Sequence, residues 1–402
     1  MFRLEKRPTP SKFWLYATPP VAVILTMIAG FVLFAVLLGP DPKKLEALEE
    51  MRRAGAGLGW VTLATLDLYL SRAALVIRTI FWDPVFGEFA FYLRGQLLVK
   101  AGPLILIAIG LALGFRAGIW NIGAEGQYIM GAIVGAGVGL AVFPTESRWI
   151  FPVMVVAGAF GGWVWAMIPA ILKTRFNTNE ILVSLMLVYV AETILAKAST
   201  GFLKNLEGMG FPGSRNFSSY PAAQNAFLYE PLGLHWGGVA ALVTGVLAYI
   251  LLTRHQAGFQ IRLAGQAPRA ARFHGVSPAR LVVMCMGISG ALAGLAGLFE
   301  VTGPAGQISI DFNTGYGFTA IIVAFLGRLN PLGIVLAGFL MALTYVGGEM
   351  ASTNLGLPDA AIQVFQGMLL FFLLAVDVLT NYRFRLAVGA HCWTLAVLIR
   401  SS

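Results

Sequence analysis

Long apolar runs recur along this 402-residue chain, and its polar residues gather in short segments between them. The runs lie at about Pro19–Leu38, Leu93–Gly114, Ile122–Phe143, Trp149–Leu172, Glu180–Ser199, Trp236–Leu252, Leu281–Glu300, Phe318–Leu329, Gly333–Gly348 and Ala361–Leu379. Roughly 20 apolar residues in a helix cross a bilayer core. The pattern therefore predicts an all-α polytopic membrane protein of about ten transmembrane helices. The shortest run, Phe318–Leu329, needs help from its flanks to cross.

The segments between the runs orient the chain. Thr253–Arg280 carries Arg254, Arg262, Arg269, Arg272 and Arg280 and no acidic residue, which marks it as cytoplasmic. Counting spans outward makes Lys173–Asn179 cytoplasmic, residues 200–235 external and both termini cytoplasmic. Residues 1–40 then form a basic N-terminus and a first transmembrane helix, an uncleaved signal anchor. Residues 41–92 read as external surface or interfacial helices. Leu45, Leu48 and Met51 stand at helical spacing among charges, and Trp60–Phe81 is apolar but holds Asp67, Arg72 and Arg78. Residues 93–380 form the transmembrane core, and residues 381–402 a cytoplasmic tail. The 200–235 segment is rich in Gly, Pro, Ser, Asn and aromatics, and reads either as a docking surface or as a plain connector.

Composition supports this reading: hydrophobic residues make up 58% and charged ones 12%, against about 45–50% and about 25% in soluble domains. The formal net charge of +9 does not indicate nucleic acid, because the basic residues lie in short inter-helix segments. Cys285 and Cys392 sit in apolar surroundings and read as packing residues. Enzyme signatures are absent: no G-x-x-x-x-G-K-[ST], no H-E-x-x-H, no G-x-S-x-G and no metal-ligand spacing among the four histidines. The chain is expected to be non-catalytic, without cofactor or metal.

The candidate chemistry lies where polar residues interrupt apolar runs. FRAGIWNIGAEGQ at Phe115–Gln127 places Asn121, Glu125 and Gln127 at membrane depth, beside glycines that weaken a helix. These residues form a hydrogen-bond network that fixes a helix break, line a polar route, or do both. Arg116 reads as the end of a helix, and Gly131, Gly135, Gly137 and Gly139 as close helix packing. In Asn177-Thr178-Asn179-Glu180, capping of the next helix is the preferred role. Glu300, Asn313, Tyr316 and Glu349 lie at helix ends or in apolar surroundings, where they either meet a polar substrate or sit at the interface. Residues 266–275 read as a short helix with Pro268 in its first turn and Gly275 at its end. Its alanines and the flanking Arg269 and Arg272 suggest a docking knob for a cytoplasmic partner.

Six motifs now stand in order: FRAGIWNIGAEGQ at Phe115–Gln127, NTNEILVSLMLVYVA at Asn177–Ala191, AGQAPRAARFHGVSPAR at Ala264–Arg280, SGALAGLAG at Ser289–Gly297, GYGFTAIIVAFLGRLNPLG at Gly315–Gly333 and GGEM at Gly347–Met350. On these the chain resembles the permease subunits of bacterial ABC importers in the branched-chain amino acid and ribose permease group. Within that group it is most like the nucleoside and simple-sugar branch. The likeness runs from about Gln96 to Leu379. It implies a type II-like ABC importer permease fold, a second homologous permease subunit, a cytoplasmic ABC ATPase and an external substrate-binding lipoprotein, in the bacterial inner membrane. The family's coupling segment falls on Gly265, Pro268, Arg269, Ala270, Ala271, Arg272 and Gly275, and its substrate pathway near Asn121, Glu125, Gln127 and Asn179. The expected cargo is a nucleoside or related purine, with a simple sugar as the alternative. The rival classes are an ion-coupled secondary transporter acting alone, whose mid-helix carboxylates would be Glu192 and Asp377, and a channel or structural subunit.

Overall fold

Capping residues written into the sequence set several helix boundaries. Ser277 and Asn330 cap helices that open on Pro278 and Pro331, and Asn179 caps the one opening at Glu180. Each side-chain oxygen accepts an otherwise orphaned N–H of the first turn, where proline's missing N–H costs nothing. The computed structural model describes residues 2–7, 11–54, 57–205, 207–208, 210–229 and 232–386. The tail reading beyond Leu386 and Cys392 lie outside the described residues.

The helices are α1 (Lys12–Leu38), α2 (Pro42–Arg53), α3 (Leu58–Phe81), α4 (Asp83–Phe86), α5 (Ala90–Arg116), α6 (Ala124–Ala141), α7 (Ile150–Phe176), α8 (Glu180–Thr200), α9 (Trp236–Arg254), α10 (Gln256–Gln266), α11 (Pro268–Phe273), α12 (Pro278–Thr302), α13 (Tyr316–Leu326), α14 (Pro331–Leu355) and α15 (Asp359–Asn381). Among the described residues nine are long and apolar enough to cross a membrane: α1, α3, α5, α7, α8, α9, α12, α14 and α15. The protein is thus an all-α polytopic membrane protein.

Two departures from the apolar pattern matter. Helix α13 has 11 residues, about 16 Å of helix, too few to cross a core about 30 Å thick without its flanks. Its expected N-terminal help is a single 3₁₀ turn at Ile310–Phe312 followed by extended chain. Hydropathy registers apolar residues, and not whether they continue one helix. The second departure is α3, which the charges at Asp67, Arg72 and Arg78 argued against as a span, yet whose length and composition suffice for one. Near its middle, Arg72 donates to the carbonyls of Leu38 and Pro40 at the end of α1.

Helix α5 is apolar all round from Ala101 to Phe115 and buried throughout that stretch, as such a helix must be. Around it pack α9, α12, α13 and α14. Helix α1 lies against α15, with Phe34 stacked on Phe365 at 5.7 Å between ring centroids. The amide of Ser11 donates to Thr380 (3.0 Å), and strand β1 (Phe2–Lys6) pairs antiparallel with β4 (Tyr382–Leu386). Both described termini therefore meet at one end of the molecule. Arg328, after α13, pairs with Asp377 near the close of α15 at that same end. The arginine-rich 253–280 segment belongs there too, since Gly265 abuts the carbonyl of Arg116 that closes α5, and Phe115 beside it stacks on Phe325 near the close of α13.

The 200–235 segment carries local regular structure. It holds a 3₁₀ turn at Phe217–Ser219 and a hairpin of β2 (Phe227–Tyr229) with β3 (Leu234–His235). Ser214 is laced to Ile308 through both amides. His235 caps α9: its Nδ1 accepts the Gly237 amide at 3.0 Å and faces Asn225 Nδ2 at 3.2 Å, which leaves the ring proton on Nε2. Burial pushes this imidazole down to about 4. Because its folded value lies below the ordinary 6.5, the neutral ring's contribution to stability is complete above pH 6.5 and is lost as pH falls towards 4. A His235→Asn variant retains a capping oxygen and removes the titration. Its thermal midpoint in detergent is expected to fall less between pH 6.5 and 4 than the parent's; an identical acid-side loss would refute the assignment.

Candidate functional site

Helix α5 stops where the sequence calls for it. Gly118 adopts φ +75°, the Gly118 amide donates to Phe115 and the Ile119 amide to Gly114. This is the Schellman arrangement, with glycine at the left-handed position. The chain then runs without helix to Gly123, and α6 begins at Ala124.

Asn121, in this break, is satisfied on every side. Its Nδ2 donates to Gln127 Oε1 (2.8 Å) and Ser289 Oγ (3.0 Å), while its Oδ1 accepts from Gln127 Nε2 (3.0 Å) and the Gly123 amide (3.1 Å). Asn121, Gln127 and Ser289 are all buried, and Ser289 lies near the middle of α12. These contacts form a hydrogen-bond network across the helix break. Ser289, a member of the network, carried no polar signal of its own within SGALAGLAG.

Glu125 is fully buried and performs a different task. Its Oε2 accepts the Gly317 amide, and the amides of Gly315 and Phe318 converge on the same carboxylate. A side chain from α6 therefore caps the start of α13, where orphaned N–H groups and the helix dipole favour negative charge. Asn179, by contrast, is exposed and caps α8 through the Ile181 amide at 3.0 Å, while its neighbour Glu180 pairs with Lys173 at 2.8 Å. It stands apart from the Asn121 network and fits the capping role.

Next to the capped start of α13 lies a cavity of about 560 Å³ between α13, α14 and α15. Its polar lining comes from Asn313, Thr314, Thr319, Tyr345, Gln363 and Gln366. Thr319 Oγ1 and Tyr345 Oη are 2.9 Å apart, Gln366 Nε2 donates to Thr344 Oγ1 at 3.2 Å, and Asn313 Nδ2 donates to Glu192 Oε1 at 2.8 Å. Sequence reasoning flagged Asn313 and passed over the rest. The available signal was Gln363 and Gln366, three residues apart within an apolar run and so on one helix face. Of the other flagged residues, Tyr316 and Glu300 are buried, and Glu349 pairs with Lys100 at 3.0 Å.

At the arginine-rich end, α10 and α11 form an elbow at Ala267. Pro268 opens α11, and Gly275 follows it at φ +77°. A Cβ on Gly265 would stand 1.9 Å from the Arg116 carbonyl, so α10 rests directly on the close of α5. The alanine surface expected for docking is corrected in part: Ala271 is buried, turned towards the protein body. What the elbow presents outward is Arg269, Arg272 and Phe273, the last 92% exposed.

Residues 93–374 match the family described as branched-chain amino acid transport system / permease component. The chain is 33% identical over 303 residues to the glucose ABC transporter permease protein TsgB13 of Haloferax volcanii, covering 73% of this chain and 78% of that one. It is 29% identical over 319 residues to the guanosine ABC transporter permease protein NupP of Bacillus subtilis, covering 77% and 86%. It is 28% identical over 317 residues to the nucleoside ABC transporter permease protein NupB of Lactococcus lactis, covering 75% and 86%. No solved structure matches the chain.

Proposed function

The chain belongs to the branched-chain amino acid transport system permease-component family, and on that footing we propose that it is the membrane-spanning subunit of an ATP-driven importer of nucleosides or related purines. It works beside a second homologous permease, a cytoplasmic ABC ATPase and an external substrate-binding lipoprotein in a bacterial inner membrane. The termini and the 253–280 segment face the cytoplasm, and α2 and α3 lie at the external surface, since a crossing by α3 would put the two termini, which meet at one end, on opposite sides of the membrane. The observation that carries the reading is the α10–α11 elbow, which exposes Arg269, Arg272 and Phe273 while seated on the last carbonyl of α5. A push on the elbow by a closing ATPase passes through Gly265 to Arg116, and thence to the 117–123 break and its Asn121–Gln127–Ser289 network. The route alternates between the two sides of the membrane as those packed helices rock.

Guanosine and nucleoside permeases among the relatives support the cargo class, and the glucose permease supports a simple sugar as the second reading. A secondary transporter working alone is less well supported, because its two candidate carboxylates are engaged: Glu192 accepts from Asn313, and Asp377 pairs with Arg328.

The test is uptake of labelled guanosine by the full importer in proteoliposomes. Arg269→Glu combined with Arg272→Glu is expected to leave insertion intact and to lower ATP-driven uptake at least about tenfold, because reversed charges at a docking surface repel the partner. Parental uptake in that variant would remove the docking role. Uptake by the purified chain on an ion gradient alone would overturn the importer reading.

A further inference from the structure

We propose that the cavity between α13, α14 and α15 is a binding site for an uncharged, nucleoside-like ligand, held by amide and hydroxyl groups and an aromatic face; this rests on the importer reading and names where its cargo is gripped. The cavity's volume of about 560 Å³ falls within the roughly 300–1,000 Å³ typical of small-molecule sites.

The composition of the lining selects the ligand. Asn313, Gln363 and Gln366 supply amides, Thr319 and Tyr345 hydroxyls, Phe318 an aromatic face, and among the described residues no Lys, Arg, Asp or Glu lines it. An amide presents a donor and an acceptor side by side, the pattern that pairs with the edge of a heterocyclic base. A phosphate or carboxylate brought here would find no counter-charge, and an unpaired charge away from water is costly. The cavity lined by Lys204, Glu207 and Arg215 is of the opposite kind, with its own Arg215–Glu207 ion pair at 2.8 Å.

The polar groups are also held in place. Tyr345 and Thr319 fix one another, Thr344 orients Gln366, and Glu192 orients Asn313. Tyr345 lies near the middle of α14, and Thr319 lies in the first turn of the half-length α13. Transporters commonly place their substrates at such a discontinuous helix near mid-membrane.

Gly367 gives direct access for a test. It lines the cavity, and a Cβ there would meet nothing within 4 Å, so a new side chain grows into the open space. Gly367→Cys is made in the full importer with Cys285 and Cys392 replaced by alanine, and its alkylation by a maleimide is timed. Guanosine is expected to slow alkylation at least about threefold, whereas guanosine monophosphate and glucose leave it unchanged, as the uncharged amide-rich lining requires. Alkylation indifferent to saturating guanosine, in a complex that imports guanosine, would overturn the site and leave the importer reading standing. Protection by glucose or by the monophosphate in place of guanosine would overturn the ligand class. A parental complex that imports no nucleoside would instead strike the reading on which the site rests. Independently, Gly367→Trp in assembled complex is expected to cut guanosine import at least about tenfold by filling the cavity; undiminished import would overturn the proposal.

Discussion

A Gly294→Ile variant is expected to yield almost no folded protein, seen as loss of the monodisperse peak in detergent and of a cooperative thermal transition. A Cβ on Gly294 would stand 2.4 Å from the Gly158 carbonyl and 2.9 Å from Gly162 Cα. One on Gly131 would stand 2.1 Å from Gly294 Cα, and one on Gly162 would stand 2.2 Å from the Gly290 carbonyl. Three helices, α6, α7 and α12, thus touch backbone to backbone along one seam. Ordinary overpacking of a core costs about 1–3 kcal/mol, because side chains and backbone shift to make room. Here the obstructing atoms are main chain, so no rotamer change relieves the clash. The helices must part by an ångström or more, which strips dispersion contacts along the whole seam. In a membrane those contacts are the principal attraction between helices.

The expected loss exceeds about 4–5 kcal/mol, the range reserved for severe core lesions. It is comparable with the total stability of many proteins, about 5–15 kcal/mol. Gly137→Ala, on α6 beyond the seam residue Gly131, supplies the contrast. Its Cβ first meets Leu203 Cδ2 at 4.0 Å, and the exchange is expected to be neutral or to stabilise by up to about 1 kcal/mol through helix propensity. Equal damage from both variants would refute the seam.

That contrast shows what a linear sequence can and cannot disclose. The glycines of α6 announced close packing, but four of them look alike on paper, and only spatial neighbours separate Gly131 from Gly137. Local signals were legible. Gly118 ending α5, Pro268 opening α11, Gly275 beyond it and Asn179 capping α8 each act within a few residues of chain. Non-local pairings were not. Asn121 and Ser289 are 168 positions apart and meet because two helices cross there. Gly317 and Glu125 are 192 apart. The α13–α15 cavity joins residues from three helices, so no window of sequence contains it. Hydropathy marked the run at Phe318–Leu329 and gave no sign that the flank before it is a 3₁₀ turn and extended chain.

Glu125→Leu is expected to lower guanosine uptake by the assembled importer about 100-fold, while Glu125→Gln remains within about threefold of the parent, the difference following from what the carboxylate does for α13. Its Oε2 takes the Gly317 amide, with Gly315 and Phe318 turned to the same group. Leucine fills a similar volume and offers no acceptor, so a buried amide loses its partner at a cost of about 1–3 kcal/mol. The start of α13 is then free to move from α6, and with it Thr314, Thr319 and the rest of the cavity wall. Glutamine keeps one oxygen aimed at the amide and removes a charge that is expensive at membrane depth. It is therefore expected to match the parent in thermal midpoint, with the apparent KM for guanosine nearly unchanged. Should the variant with glutamine be as inactive as the one with leucine while remaining assembled, the negative charge or a proton on Glu125 would be needed for transport. The group would then be more than a cap.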